Sequence, residues 1–232
     1  LFVCDEGNAI AVNKLAGYDY WLEVYKKEEI VKKIIELKPD LVINDILDTT
    51  QEDILPLKKN GIKVMNFEDL GDGACLADIT INELYDNPRF DSKNILWGNG
   101  YFFIRDEFNG AKENVYKNKV ESILISFGGT DQHNLTLTIY RLIKDICKFN
   151  NIKMYIVTGP GYIDFEHLKE EVNNDVLVEL TNATGIISSI MEKSQVAIIS
   201  NGRTVYELAQ MNIPAIVISQ HERECNHDFS VA

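Results

Sequence analysis

The chain has 232 residues, 45% of them hydrophobic and 25% charged, with a formal net charge of −13. This is ordinary globular composition for one large or two modest domains, and the acidic balance argues against general nucleic-acid binding, which recruits surplus Lys and Arg. No apolar run approaches the ~18 residues that span a bilayer, and LFVCDEGNAI lacks a basic region followed by a long apolar one, so the expectation is a soluble, cytoplasmic protein without membrane insertion.

Short β-branched runs alternate with amphipathic stretches from the first residues onward. Strands are expected at LFVC (1–4), YWLEVY (20–25), DLVIND (40–45), KVMNFE (63–68) and DITINE (78–83), with helices near 8–16, 27–37 and 50–60. Gly17, Pro39 and Asn60-Gly61 mark helix ends. Lysines in KKEEIVKKIIELK fall at i,i+4 spacing from glutamates and form a solvated face. The polar stretch FNGAKENVYKNKVES (108–122) reads as a linker, after which the pattern restarts. Strands follow at SILISF (122–127), KMYIVTG (153–159), VLVEL (176–180), VAIIS (196–200) and AIVIS (215–219), with helices near 134–149, 164–173, 185–193 and 204–211. Near-continuous apolar strands alternating with helices indicate parallel sheets covered on both faces. The architecture expected is α/β, with two Rossmann-like domains, 1–108 and 109–232, and a cleft between them.

Cys4, Cys75, Cys147 and Cys225 form no CxxC pair and read as buried, reduced thiols. His133, His167, His221 and His227 have no zinc-ligand spacing, so no metal is expected. No GxGxxG follows a strand, which argues against a dinucleotide-dependent dehydrogenase.

Open parallel sheets bind ligands beyond the carboxyl ends of their strands. In SFGGTDQHN, Gly128, Gly129 and Thr130 leave a strand for a helix expected near Asn134. The glycines suit either a tight turn or a close backbone approach to an anion. In SNGRTVYEL, Ser200, Asn201 and Gly202 precede Thr204, a natural N-cap, with Glu207 three residues beyond. That spacing fits a capping box, or a carboxylate free to accept from vicinal ribose hydroxyls. Gln220, His221, Glu222 and Arg223 follow the last strand, as a polar surface loop or as contacts to a sugar or leaving group. Asp45, ending DLVIND, either orients a water or sugar hydroxyl or caps the helix near Thr50.

Taken together, SFGGTDQHN, GNGYFFIRDEF (98–108) with its Arg-x-Glu-Phe ending, VINDILD and NFEDLGDGACLADITIN resemble a known family in order and spacing. It is the GT-B family of the UDP-2,4-diacetamido-2,4,6-trideoxy-β-L-altropyranose hydrolase of pseudaminic acid biosynthesis and of spore-coat polysaccharide proteins, related to the peptidoglycan N-acetylglucosaminyltransferase. The resemblance implies a GT-B arrangement and a nucleotide-sugar substrate, with no cofactor. It places Gly128, Gly129, Thr130, Ser200, Asn201, Gly202 and Thr204 on the diphosphate, and Glu207 on the ribose. It puts Thr181 and Asn182 at the uracil through backbone groups, and Gln220 and His221 near the sugar. The implied chemistry is water attack at the anomeric carbon with loss of the nucleoside diphosphate. The family's catalytic His loop has no counterpart, since no GxGH segment occurs here. The N-terminal domain is therefore expected to be incomplete, lacking its first strand and loop. A GT-B glycosyltransferase is one competing reading. Another is a non-catalytic sugar-nucleotide module fused to, or associated with, a cytidylyltransferase.

Overall fold

The computed structural model describes residues 1–115 and 117–231; Tyr116, inside the stretch expected as a linker, and Ala232 lie outside the described residues. The chain divides into two compact units, Leu1–Tyr101 and Phe102–Ala232.

The first unit runs β1 (Phe2–Asp5), α1 (Ala9–Ala16), β2 (Leu22–Tyr25), α2 (Lys27–Leu37), β3 (Leu41–Asn44), α3 (Gln51–Lys59), β4 (Lys63–Phe67), β5 (Ile79–Asn82) and β6 (Ile95–Trp97). β1 pairs with β2, and β3-β4-β5-β6 form a second parallel sheet in that order. Ile34 of α2 and Ile54 and Leu57 of α3 pack on Val64 to make the core, as amphipathic helices over a sheet must. Thr50 caps α3 in a full capping box with Asp53, so Asp45 is not the cap. β6 escapes sequence reading because three residues are too few to show an alternation.

Beyond the carboxyl ends of β3, β4 and β5 lies a buried polar network centred on Asp69. Its carboxylate accepts from Thr49 N–H at 2.9 Å, Thr49 Oγ1 at 2.5 Å, Asn66 Nδ2 at 2.6 Å and Gly71 N–H at 2.9 Å. Its own backbone exchanges two bonds with the Asn82 side chain, and Asn44 of β3 donates to Asn66 of β4 at 2.9 Å. Asp69, Asn66 and Asn82 are all 0% exposed. A carboxylate this deep persists because each of its oxygens is served by two donors.

The second unit runs β7 (Ser122–Ser126), α4 (Leu135–Asn150), β8 (Lys153–Thr158), α5 (Phe165–Val172), β9 (Val178–Asn182), α6 (Ser188–Met191), β10 (Val196–Ile199), α7 (Thr204–Gln210) and β11 (Ala215–Val217). Its strands form one parallel sheet in the order β11-β10-β7-β8-β9. The buried strand residues Ile125, Met154, Ile156 and Ile198 meet Leu137 and Tyr140 of α4 and Leu168 of α5. Both units are thus α/β with parallel sheets, and no helix among the described residues is long and apolar enough to cross a membrane.

Where the elements depart from the expected spans, side chains explain it. β9 begins two residues late because Asp175 bonds the amides of Leu177 and Val178 in a turn, which holds Val176 out of the ladder. Thr181 and Asn182 therefore finish the strand instead of following it. α6 is short because the Thr184 hydroxyl closes a local turn on Ile186. The stretch expected as a linker is bonded to the second unit, through Asn114 to Met211 and Gln195 and through Lys112 to Glu192. Of the four thiols only Cys147 is buried, and Cys225 is exposed.

Asp69→Ala is expected to destabilise the first unit by about 3 kcal/mol or more, since it strands buried donors; urea unfolding would measure this, and a loss under about 1 kcal/mol would mean the network is dispensable. A second outcome concerns acid. The Lys58 ammonium and the Val64 amide pull the Asp78 carboxyl down from 3.8 to about 2. A depressed folded value contributes stability that is present above the unfolded value of ~3.9 and lost as pH falls through the folded one. Asp78→Asn should lower the unfolding midpoint at neutral pH and flatten its decline between pH ~4 and ~2.

Candidate functional site

The order of the second sheet sets the site. The chain proceeds from β7 to β8 and β9 on one side, then returns to place β10 and β11 on the other. β7 and β10 are adjacent, yet the segments that follow them diverge, so a crevice opens beyond their carboxyl ends. A cavity of about 250 Å³ occupies it. The turn after β7 contributes Phe127, Gly128, Gly129, Thr130 and Gln132. The turn after β10 adds Ser200, Gly202, Arg203 and Thr204, and the segment after β11 adds Gln220, His221 and Glu224.

The walls are largely backbone. Gly128 has φ +74°, the left-handed region that suits glycine. Among the described residues, the amides of Gly128, Gly129, Thr130, Gly202 and Thr204 donate to no protein acceptor. The N-terminus of α4 behaves differently. Buried Asp131 accepts from the amides of Leu135 and Thr136, both at 2.8 Å, and so caps that helix internally. The open amides therefore belong to the turns, and an anion in the cavity would be held by them. Arg203 adds the positive charge, its guanidinium 5.3 Å from the Phe103 ring centroid.

Supporting groups hold this backbone in place. Gly159, in the loop after β8, lies so close to Gly129 that a Cβ there would overlap the Gly129 backbone, and Gly161 N–H donates to Gly129 C=O at 2.9 Å. Buried Glu224 accepts from Gln220 N–H at 2.7 Å and Asn201 N–H at 3.4 Å. Gln220 Nε2 donates to Phe127 C=O at 2.9 Å, tying the segment after β11 to the end of β7. His221 is folded back on Glu224, whose N–H donates to Nδ1 at 3.3 Å. Asn201 does not line the cavity; its Nδ2 donates to the carbonyls of Glu224 and His227 beneath it.

Besides Asn201, the expected site residues Thr181, Asn182, Glu207 and Asp45 stand apart from the cavity lining. Thr181 and Asn182 end the edge strand β9, where Asn182 accepts from Thr158 Oγ1 at 3.1 Å. Glu207 sits in the first turn of α7, and the capping box does not form: Arg203 holds the N-cap position, and its side chain does not cap the helix. The Glu207 carboxylate instead accepts from Arg105 Nε at 3.1 Å and Nη2 at 3.0 Å. Burial pushes that carboxyl up, and the Arg105 charge and hydrogen bond pull it back. Asp45, in the first unit, is exposed just beyond β3. Sequence reasoning did not select Glu224, Asp131, Arg203 or Gly159. Asp131 carried a signal, an acid four residues before the helix start, but nothing local singles out Glu224 or Gly159.

Inserting a methyl into a packed contact costs ~1–3 kcal/mol. Gly159→Ala should therefore lower the melting temperature and shift the amide NMR signals of Gly128, Gly129 and Thr130. Gly129→Ala, whose Cβ meets no atom within 4 Å, should lower the melting temperature less; an equal fall would remove Gly159 from the support of the turn.

No family model matches the chain. It is similar to the uncharacterized protein MJ1062 of Methanocaldococcus jannaschii, at 27% identity over 219 residues, 87% of this chain and 45% of that protein. It is also similar to the spore coat polysaccharide biosynthesis protein SpsG of Bacillus subtilis, at 24% identity over 210 residues, 87% of this chain and 62% of that one. The chain thus spans about half the length of the curated relatives it matches. Among solved structures, MurG of Acinetobacter baumannii superposes with a TM-score of 0.54 at 15% identity, over 96% of this chain and 70% of that one. The UDP-GlcNAc 2-epimerase of Methanocaldococcus jannaschii, in complex with UDP-GlcNAc and UDP, gives 0.54 at 9% identity, over 99% and 91%. That of Neisseria meningitidis, bound to UDP-GlcNAc, gives 0.55 at 13% identity, over 96% and 83%. At these identities the likeness concerns the fold: α/β units with parallel sheets, Rossmann-like in the manner of GT-B enzymes.

Proposed function

We propose that this chain is a nucleotide-sugar hydrolase-like protein, with a UDP-sugar as substrate, acting in nonulosonic acid or surface-polysaccharide biosynthesis. The observation that carries the reading is the set of open amides from two turns around one cavity, at the reversal of strand order. Such a seat recognises a diphosphate without a surplus of basic side chains, which is how a chain of net charge −13 accommodates an anion. The similarity to SpsG supports the polysaccharide setting. UDP-GlcNAc in the structures of the two epimerases supports the choice of nucleotide.

In this reading Gly128, Gly129, Thr130, Ser200, Gly202 and Thr204 hold the diphosphate, Asn201 braces them from beneath, and Arg203 neutralises charge. Glu207 accepts from the ribose hydroxyls, and the backbone at Thr181 and Asn182 meets the uracil. Gln220 and His221 face the sugar. Water attacks the anomeric carbon, the C1–O bond breaks, and its electron pair leaves with the nucleoside diphosphate. Open amides and Arg203 stabilise the charge that develops on that leaving group. The proton of the water passes to a base, for which Asp45 is the candidate that the sequence offers. Pseudaminic acid synthesis, with a cytidylyltransferase as neighbour or fused partner, is the setting implied by the resemblance.

Calorimetric titration with UDP, CDP and NAD tests the binding. UDP should bind in the micromolar range and NAD should not, and Glu207→Ala should weaken UDP about tenfold, the value of a charged hydrogen bond. Absence of UDP binding, or an unaffected variant, would sink the reading. Incubation with a UDP-diacetamido sugar then separates the activities. Free sugar and UDP without an acceptor mean hydrolysis, a requirement for an acceptor means transfer, and binding without release means a non-catalytic module.

A further inference from the structure

The proposed function leaves one motif unused, the Arg-x-Glu-Phe ending of GNGYFFIRDEF, yet its charged side chains converge on Glu207. Arg105 Nε and Nη2 both bond the same oxygen, Oε1 of Glu207, at 3.1 and 3.0 Å. Its third nitrogen, Nη1, reaches Glu107 Oε1 at 2.7 Å. The other oxygen of Glu107 accepts from Ser188 N–H, the first residue of α6, at 2.9 Å. Oε2 of Glu207 takes no part in the pair. Thr204, which lines the cavity, and Glu207 are three residues apart and share a helix face. The aromatic half of the motif clamps the same helix: Phe102 stacks on Tyr206 at 5.1 Å, and Phe103 lies under Arg203.

We infer that Arg105 is a positioning residue for the vicinal hydroxyls of a ribonucleotide: it holds Oε1 of Glu207 so that Oε2 is the oxygen presented to the ligand, while Glu107 anchors Arg105 to the start of α6. This rests on the nucleotide reading proposed above. A carboxylate 8% exposed would otherwise rotate and take up a proton, and a protonated carboxyl presents an O–H donor where the carboxylate only accepts. Burial favours that proton on Glu207, Arg105 opposes it, and Glu107 adds a smaller push in the same direction as burial. Among the described residues, those two side chains are the charged groups that act on Glu207. Arg203, four residues earlier on the chain, is turned to Phe103.

The experiment compares affinities for UDP and 2′-deoxy-UDP between pH 6 and 8. The intact chain should prefer UDP about tenfold at each pH. Arg105→Met should lose most of that ratio, and lose more of it as pH falls, because Glu207 without its guanidinium takes up a proton. In a Glu207→Gln background, the same Arg105 change should alter nothing further. A ratio kept by Arg105→Met at every pH, or an equal loss in the Glu207→Gln background, would overturn the inference while leaving nucleotide binding intact. Should Arg105→Met fail to fold, Arg105→Lys decides. Lysine keeps the charge but not the fork, so the ratio should fall in part and stay level with pH; an undiminished ratio would refute the clamp. An intact chain that binds neither nucleotide would instead refute the proposed function itself.

Discussion

β7 and β10 lie side by side in parallel register, and the chain leaves them in opposite directions across the sheet. Everything that makes the second unit a candidate binding protein follows from that divergence. Neither following segment can cover the crevice between them, and among the described residues Gly128, Gly129, Thr130, Gly202 and Thr204 keep amides without protein acceptors. Glycine at 128 allows the backbone to turn there, and the absence of a side chain at Gly159 allows the neighbouring loop to press against Gly129 from behind. Glu224 and Gln220 fasten the third segment to the other two. The cavity walls are largely main chain, and Glu224 and Gln220 act as fasteners around them.

Three buried carboxylates differ in how far the surrounding chain uses up their accepting capacity. Asp69 has two donors on each oxygen and nothing to offer a ligand, so it locks the strand ends of the first unit. Asp131 spends both oxygens on the first amides of α4, and a helix that might have faced an anion with open donors is closed by its own side chain. Glu207 differs, because Arg105 occupies one oxygen and leaves the other. All three follow a strand's carboxyl end in sequence, and their burial is similar. What distinguishes them is the number of donors the surrounding chain supplies.

Most elements were legible from periodicity, since apolar β-branched runs and 3.6-residue stripes are consequences of burying one side of each element. Apart from β6, which is too short to show a pattern, the departures come from polar groups that bond nearby or distant backbone. Asp175 and Thr184 divert nearby amides into local turns, which shortens β9 and α6 without altering the hydrophobic pattern. The polar stretch after Phe108 has the composition of a linker, yet the Asn114 side chain and the Lys112 amide bond other parts of the second unit. Composition reports what a segment can leave in water and is silent on which carbonyls stand within its reach.

The sequence by itself determined the alternation of strands and helices, the parallel character of the sheets and the glycine turn after β7, because each depends on residues a few positions apart. It also marked the segments after β10 and β11 as polar and small enough to line a cavity. Only the tertiary structure decided that Gly159 backs Gly129, that Glu224 holds Asn201 and Gln220, and that Arg105 meets Glu207 across 102 residues. Those pairings depend on which loops the strand order β11-β10-β7-β8-β9 brings together. A hydrophobic period fixes which side of a strand is buried, but it carries no information about the neighbour that the strand will have.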